Sequence, residues 1–192
     1  MGGQFTAIDF NNDSPLTNSP GTSFESSAYP TAYGFGGRVG YNVNSNFAVE
    51  AEFNYFPVDR FAEGGRKVQG LFGVKAGKRF EHVGVYAKLR PGFMNFSRGD
   101  FTGRPNAICI PENLAPCLVS ESTTNFALDA GGVVELHTSK KTFFRLDAGD
   151  TLVRFGQRVA PIRTNINQVF IVSADAETTH NFQGGVGFGI RF

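Results

Sequence analysis

The sequence contains no tryptophan, only two cysteines and two methionines, and a charged fraction of 18% that nets to +1. So small a net charge, with no basic run of five or more residues, excludes a nucleic-acid surface built on bulk electrostatics. Two cysteines are too few for a disulfide-stapled scaffold, and without neighbouring histidines they do not make a zinc site. No stretch approaches 18 consecutive apolar residues, which excludes a membrane-spanning helix, and the mean hydropathy is slightly negative. The glycine string Gly184, Gly185, Gly187 and Gly189 opens no helix, so it is not a phosphate cradle. The opening residues Met1-Gly2-Gly3-Gln4 lack a basic and then apolar leader, as expected of a trimmed mature form.

What the chain has in quantity is phenylalanine, 21 residues, and glycine, 24. Soluble sheets use aromatics in their cores but little strand glycine, so this pairing calls for another arrangement. Period-two alternation supplies it. Tyr33, Phe35, Val39, Tyr41 and Val43 alternate with Gly34, Gly36, Arg38, Gly40 and Asn42; after Asn44-Ser45-Asn46, Phe47, Val49, Ala51, Phe53 and Tyr55 alternate with Ala48, Glu50, Glu52 and Asn54. The same pattern recurs over Val68–Gly77, Val83–Phe93, Phe126–His137, Phe144–Leu152 and Asn181–Phe192. Pro91 predicts a bulge or local break in the fifth strand. An opening strand within Gly3–Phe10 completes an even number, its faces open between Phe5/Ala7/Asp9 and Thr6/Ile8/Phe10.

Connections alternate in length. Asn11–Pro30, Pro57–Arg66, Ser97–Ser122 and Val153–His180 are long, and the three turns between them are short. About eight antiparallel strands with short turns on one side and long loops on the other describe an all-β closed transmembrane barrel of one domain, residues 1–192. Each lipid-exposed strand is half polar, which accounts for the low hydropathy. The polar face carries Arg38, Glu50, Glu52, Lys75, Lys88, Arg90, Asp129, Glu135, Arg145, Asp147 and Arg191 among many glycines. Glycine has no reason to crowd a water-facing wall, whereas inside a narrow barrel it leaves volume for long side chains. Six basic and five acidic residues there predict an internal ion-pair network. The runner-up for the same alternation is a soluble lipocalin-like carrier with its apolar face turned inward onto a hydrophobic ligand.

The chain resembles the OmpA-like and OmpX-like family of eight-stranded outer membrane β-barrels over almost its whole length. The ending Gly187-Phe188-Gly189-Ile190-Arg191-Phe192 carries the resemblance most sharply. It implies a place in the outer membrane of a Gram-negative bacterium, surrounded by lipid, with loops to the cell exterior. It also implies a barrel-insertion machinery that reads Phe188, Ile190 and Phe192. No periplasmic peptidoglycan-binding domain follows the barrel pattern, so a cell-wall anchoring role is not expected.

Candidate chemistry is sparse, and no catalytic, cofactor or metal site is expected. Cys109 and Cys117 share one polar loop, and export to an oxidising compartment predicts a disulfide between them. His82 and His137 fall beside turns on neighbouring strands, either as a two-histidine pair or as solvated turn residues. Asp150 and His180 share alternation parity at the long-loop end, the basis of an alternative reading as a lipid-modifying enzyme, with Ser173 as a conceivable nucleophile. Ile110 and Leu114 in one loop and Val169, Phe170 and Ile171 in another are too apolar for free loops. They predict either a protein partner, self-association or a mutual cap.

Overall fold

The computed structural model describes residues 1–10, 31–57, 65–97, 122–156, 158–163, 169–174 and 176–192, with the backbone alone described between 158 and 174. Eight strands close into a barrel: β1 (Gly2–Phe10), β2 (Ala32–Asn42), β3 (Phe47–Phe56), β4 (Lys67–Arg79), β5 (Val83–Phe96), β6 (Thr123–His137), β7 (Thr142–Phe155) and, after a separate hairpin, β10 (Glu177–Ile190). All neighbours are antiparallel, and β1 seals the seam against β10 through Phe5↔Val186 and its flanking pairs. The hairpin, β8 (Arg158–Arg163) with β9 (Val169–Ala174), is a two-stranded sheet of its own within the last long connection.

Three short turns, Val43–Asn46, Phe80–His82 and Thr138–Lys141, lie at the same end as both chain termini, where the Ile190 N–H donates to the Met1 carbonyl. The sequence explains their tightness. The Asn46 N–H donates to Asn44 Oδ1 at 2.8 Å, and Ser139 Oγ accepts from the N–H groups of Lys141 and Thr142, so short polar side chains take over backbone bonds where the ladder ends. The other ends of the strands lead to the four long connections.

Alternation places the large apolar residues outside. Tyr33, Phe35, Phe53, Phe72, Phe93, Phe126, Phe144, Phe182 and Phe188 are all exposed, while the polar series is turned in. That surface belongs in hydrocarbon, and it overturns the lipocalin-like alternative, which needs the apolar face inside. The open question on β1 resolves to Thr6 and Ile8 inward, each at most 1% exposed, with Phe5 outward.

Of the bulge or local break expected at Pro91, the break forms and the bulge does not: Phe72 and Gly73 have no partners in the β4–β5 ladder. Leu71↔Gly92 and Val74↔Leu89 keep one register on either side of it, and Pro91 itself opposes Leu128 in an unbroken ladder to β6. The missing N–H costs local β4–β5 pairing without inserting a residue. Glycine leaves room for a side chain at Gly34, where an added Cβ would stand 2.6 Å from the Phe56 ring, and for close backbone approach at Gly73, where it would stand 2.2 Å from the Leu89 carbonyl oxygen.

Candidate functional site

The barrel interior is stacked in chemically distinct layers, each set by what the inward positions of the strands happen to be. Toward the short turns, Lys75 from β4 reaches Glu135 at 2.5 Å and Glu50 at 3.0 Å, with its ammonium 4.5 Å above the Tyr86 ring. Arg191 lies 3.6 Å from Glu135 and stacks its guanidinium over Phe143.

In the middle, Arg145 from β7 bonds Glu50 at 2.6 Å and grips Asp147 through Nε at 2.7 Å and Nη2 at 3.0 Å. Asp147 also takes Arg38 at 3.1 Å and Lys88 at 3.5 Å. Lys88 meets Asp129 at 3.1 Å, and Arg90 joins Asp129 at 2.8 Å to Glu52 across the lumen. The side chains of Lys88, Arg90, Asp129 and Arg145 are at most 1% exposed, so their charges rely on one another instead of on water.

Above the charges lies a belt of amides and hydroxyls. Asn54 Nδ2 donates to Glu52 and Gln69 at 2.8 Å, Gln69 Nε2 donates to Gln183 at 2.9 Å, and Thr151 Oγ1 donates to the same Gln183 oxygen at 2.7 Å. Toward the loops the interior turns apolar: Ile8, Ala32, Phe56, Leu71, Met94, Ala127 and Val153 form one buried cluster. Phe10, Phe96 and Phe155 pack against it from β1, β5 and β7, with Phe96 5.6 Å from Phe155 and 6.0 Å from Phe10 between ring centres.

The eleven inward charges named from the sequence therefore meet in one connected set. The amide belt and the apolar cluster were not foreseen. A signal for the cluster was present: the inward-parity positions nearest the long loops, Ile8, Phe56, Met94, Ala127 and Val153, are all apolar. Phe188, Ile190 and Phe192 are exposed on the outer wall at the short-turn end.

His82 and His137 do not make a two-histidine site. The His137 N–H donates to the His82 carbonyl, but the His137 ring turns inward, with Nε2 3.3 Å from Arg191, while His82 is exposed. Among the described residues no cluster of three or more metal-ligating groups occurs. Asp150 and His180 do meet: His180 Nδ1 is 2.6 Å from Asp150 Oδ2, and the Asn181 N–H fixes Oδ1 at 3.0 Å. Both side chains face out from the wall near the long-loop end and are substantially exposed. Cys109, Cys117, Ile110 and Leu114 lie outside the described residues, as does the side chain of Ser173; Val169, Phe170 and Ile171 fall on β9.

An eight-stranded antiparallel barrel, apolar outside and polar within, defines a transmembrane barrel protein. Over residues 1–192 the chain matches the family described as the outer membrane protein beta-barrel domain, and it belongs to that family, as the OmpA/OmpX-like architecture leads one to expect. It is an outer membrane β-barrel. No curated protein matches the chain.

Proposed function

We propose that this barrel is a non-enzymatic scaffold with a filled interior, whose long loops face the exterior of a Gram-negative cell and mediate recognition, adhesion or assembly with a partner. The observation that carries the reading is the stacking of ion pairs, amides and an apolar cluster across the lumen, which leaves the loops as the accessible chemistry. An eight-stranded barrel is only wide enough for its own side chains, and these ones neutralise and hydrogen-bond one another. Apolar closure at one end adds a barrier that ions do not cross wet. In the oxidising exterior, a Cys109–Cys117 disulfide would brace the loop that carries Ile110 and Leu114. Planar-bilayer recordings of the reconstituted protein should show no steady conductance, and a large, persistent one would refute the filled-interior scaffold.

A second reading rests on the Asp150–His180 pair. A carboxylate that orients a histidine at the outer wall, with Nε2 turned away from it, is an arrangement for general-base attack on a lipid ester. Comparing membrane lipid profiles on expression of wild type and His180→Ala tests it; identical profiles remove it.

A further inference from the structure

Between β1, β10 and β7 the lipid-facing wall is interrupted by a groove of about 490 Å³, open along its side. Phe5, Val186 and Leu146 form one bank, directly paired with one another across the three strands. Phe188 and Phe144 form the other, ring centres 5.4 Å apart and ring planes inclined at 66°. The next position in that second row is Gly3, opposite Phe188, and the row lacks a side chain there. The gap widens because Gly3 pairs with Gly37 on β2, which also faces out. A Cβ placed on Gly3 would meet nothing nearer than the Gly36 carbonyl oxygen at 3.9 Å, so the vacancy is real space on the outer surface and not room reserved for a neighbour.

The foot of the groove is cationic. Lys140 and Lys141 occupy the exposed turn that feeds β7, and Lys141 is tied by its carbonyl to the N–H of Arg191 at the end of β10, so the turn stands at the base of both strands that bank the groove. Neither lysine forms an ion pair among the described residues, and the turn Thr138–Lys141 contains no acid. The other short turns differ. Val43–Asn46 is uncharged, and Phe80–His82 carries Glu81 beside Lys78 and Arg79. Phe144 stands four residues from Lys140, about 13 Å at the rise of an extended chain, which is within the length of one lipid tail.

We infer that this groove is a specific site for an anionic glycerophospholipid: one acyl chain lies against Phe5, Leu146 and Val186 over Gly3, and the head-group phosphate meets Lys140 and Lys141. An apolar trench in the wall with an unneutralised dibasic turn at its base matches an amphiphile whose charge is negative and whose tail is single-file. Phosphate at a basic membrane-surface cluster gains roughly fivefold in affinity per lysine, so two lysines discriminate a charged from a zwitterionic head by at least about tenfold. The site does not depend on which leaflet the short turns face.

The test uses the full chain reconstituted in nanodiscs of phosphatidylglycerol and phosphatidylcholine, then transferred to detergent, with retained lipid counted by native mass spectrometry. Wild type should keep phosphatidylglycerol in preference to phosphatidylcholine. Gly3→Leu should lose retained lipid of both kinds, because it fills the trench. Gly132→Leu, which adds the same side chain at an outward position where nothing lies within 4 Å, should behave as wild type. The pair Lys140→Gln/Lys141→Gln, confined to an exposed turn, should keep a lipid but lose the head-group preference. Equal retention of both lipids by wild type, or retention by Gly3→Leu that matches wild type, overturns the inference.

Discussion

The ion-pair set makes a sharp prediction at Asp129. Its side chain is fully buried and holds two cations, Lys88 at 3.1 Å and Arg90 at 2.8 Å. Asp129→Asn keeps the shape and removes the charge, leaving six basic and four acidic residues in the network where there were six and five. Arg90 still has Glu52, but Lys88 is left with Asp147 alone at 3.5 Å. Breaking one member of a buried pair costs about 3–5 kcal/mol because the remaining charge is neither hydrated nor matched. At urea sensitivities of about 1–3 kcal/mol per M this lowers the midpoint by about 1–5 M. The chain lacks tryptophan, so folding in lipid vesicles is best followed by the gel mobility of the intact barrel or by the five tyrosines.

The double variant Asp129→Asn/Lys88→Met removes the stranded ammonium as well and should recover about 1–3 kcal/mol of the loss. A midpoint shift equivalent to under about 1 kcal/mol would mean that water reaches the network and screens it. Strictly additive losses in the double variant would mean that Lys88 and Asp129 are not partners.

Other consequences can be measured in the same refolding system. Phe56→Ala, which empties the centre of the apolar cluster, should cost about 3–5 kcal/mol, whereas Phe72→Ala on the lipid-facing wall should cost clearly less. Gly36→Ala should destabilise the barrel strongly, since its Cβ would stand 2.1 Å from the Phe53 carbonyl oxygen, while Gly132→Ala should unfold at the wild-type midpoint. Phe192→Ala should slow assembly into outer membranes in cells while leaving the midpoint of the refolded protein unchanged, because the residue is 96% exposed.

Which residues face in and which face out was legible wherever alternation was long and one face was charged, as over Phe47–Phe56 and Val83–Phe93. A period of two needs only local information. β1 was not legible, because Thr6 and Phe5 begin alternations of equal merit and only pairing with β2 and β10 chooses between them. At Pro91 the sequence left a bulge and a local break open, and the structure takes the break: the lost N–H interrupts pairing with β4, while the ladder to β6 holds the register. The convergence of Phe10, Phe96 and Phe155 is likewise non-local, since three strand ends separated by most of the chain must be brought around a ring before their side chains meet. The Asp150–His180 contact was foreseeable from shared parity alone because the two strands are direct neighbours.

The cross-lumen contacts also bear on how the barrel enters a membrane. Arg38 and Asp147 are 109 residues apart, and Gln69 and Gln183 are 114 apart; each pair joins walls that stand opposite one another only in a closed ring. A partly assembled sheet would present those charges and amides unpaired to hydrocarbon, where each is expensive. The membrane therefore acts as a test of completion: the same residues that penalise an unfinished sheet become mutually satisfied when β1 meets β10, so entry into lipid and closure of the seam are one thermodynamic event.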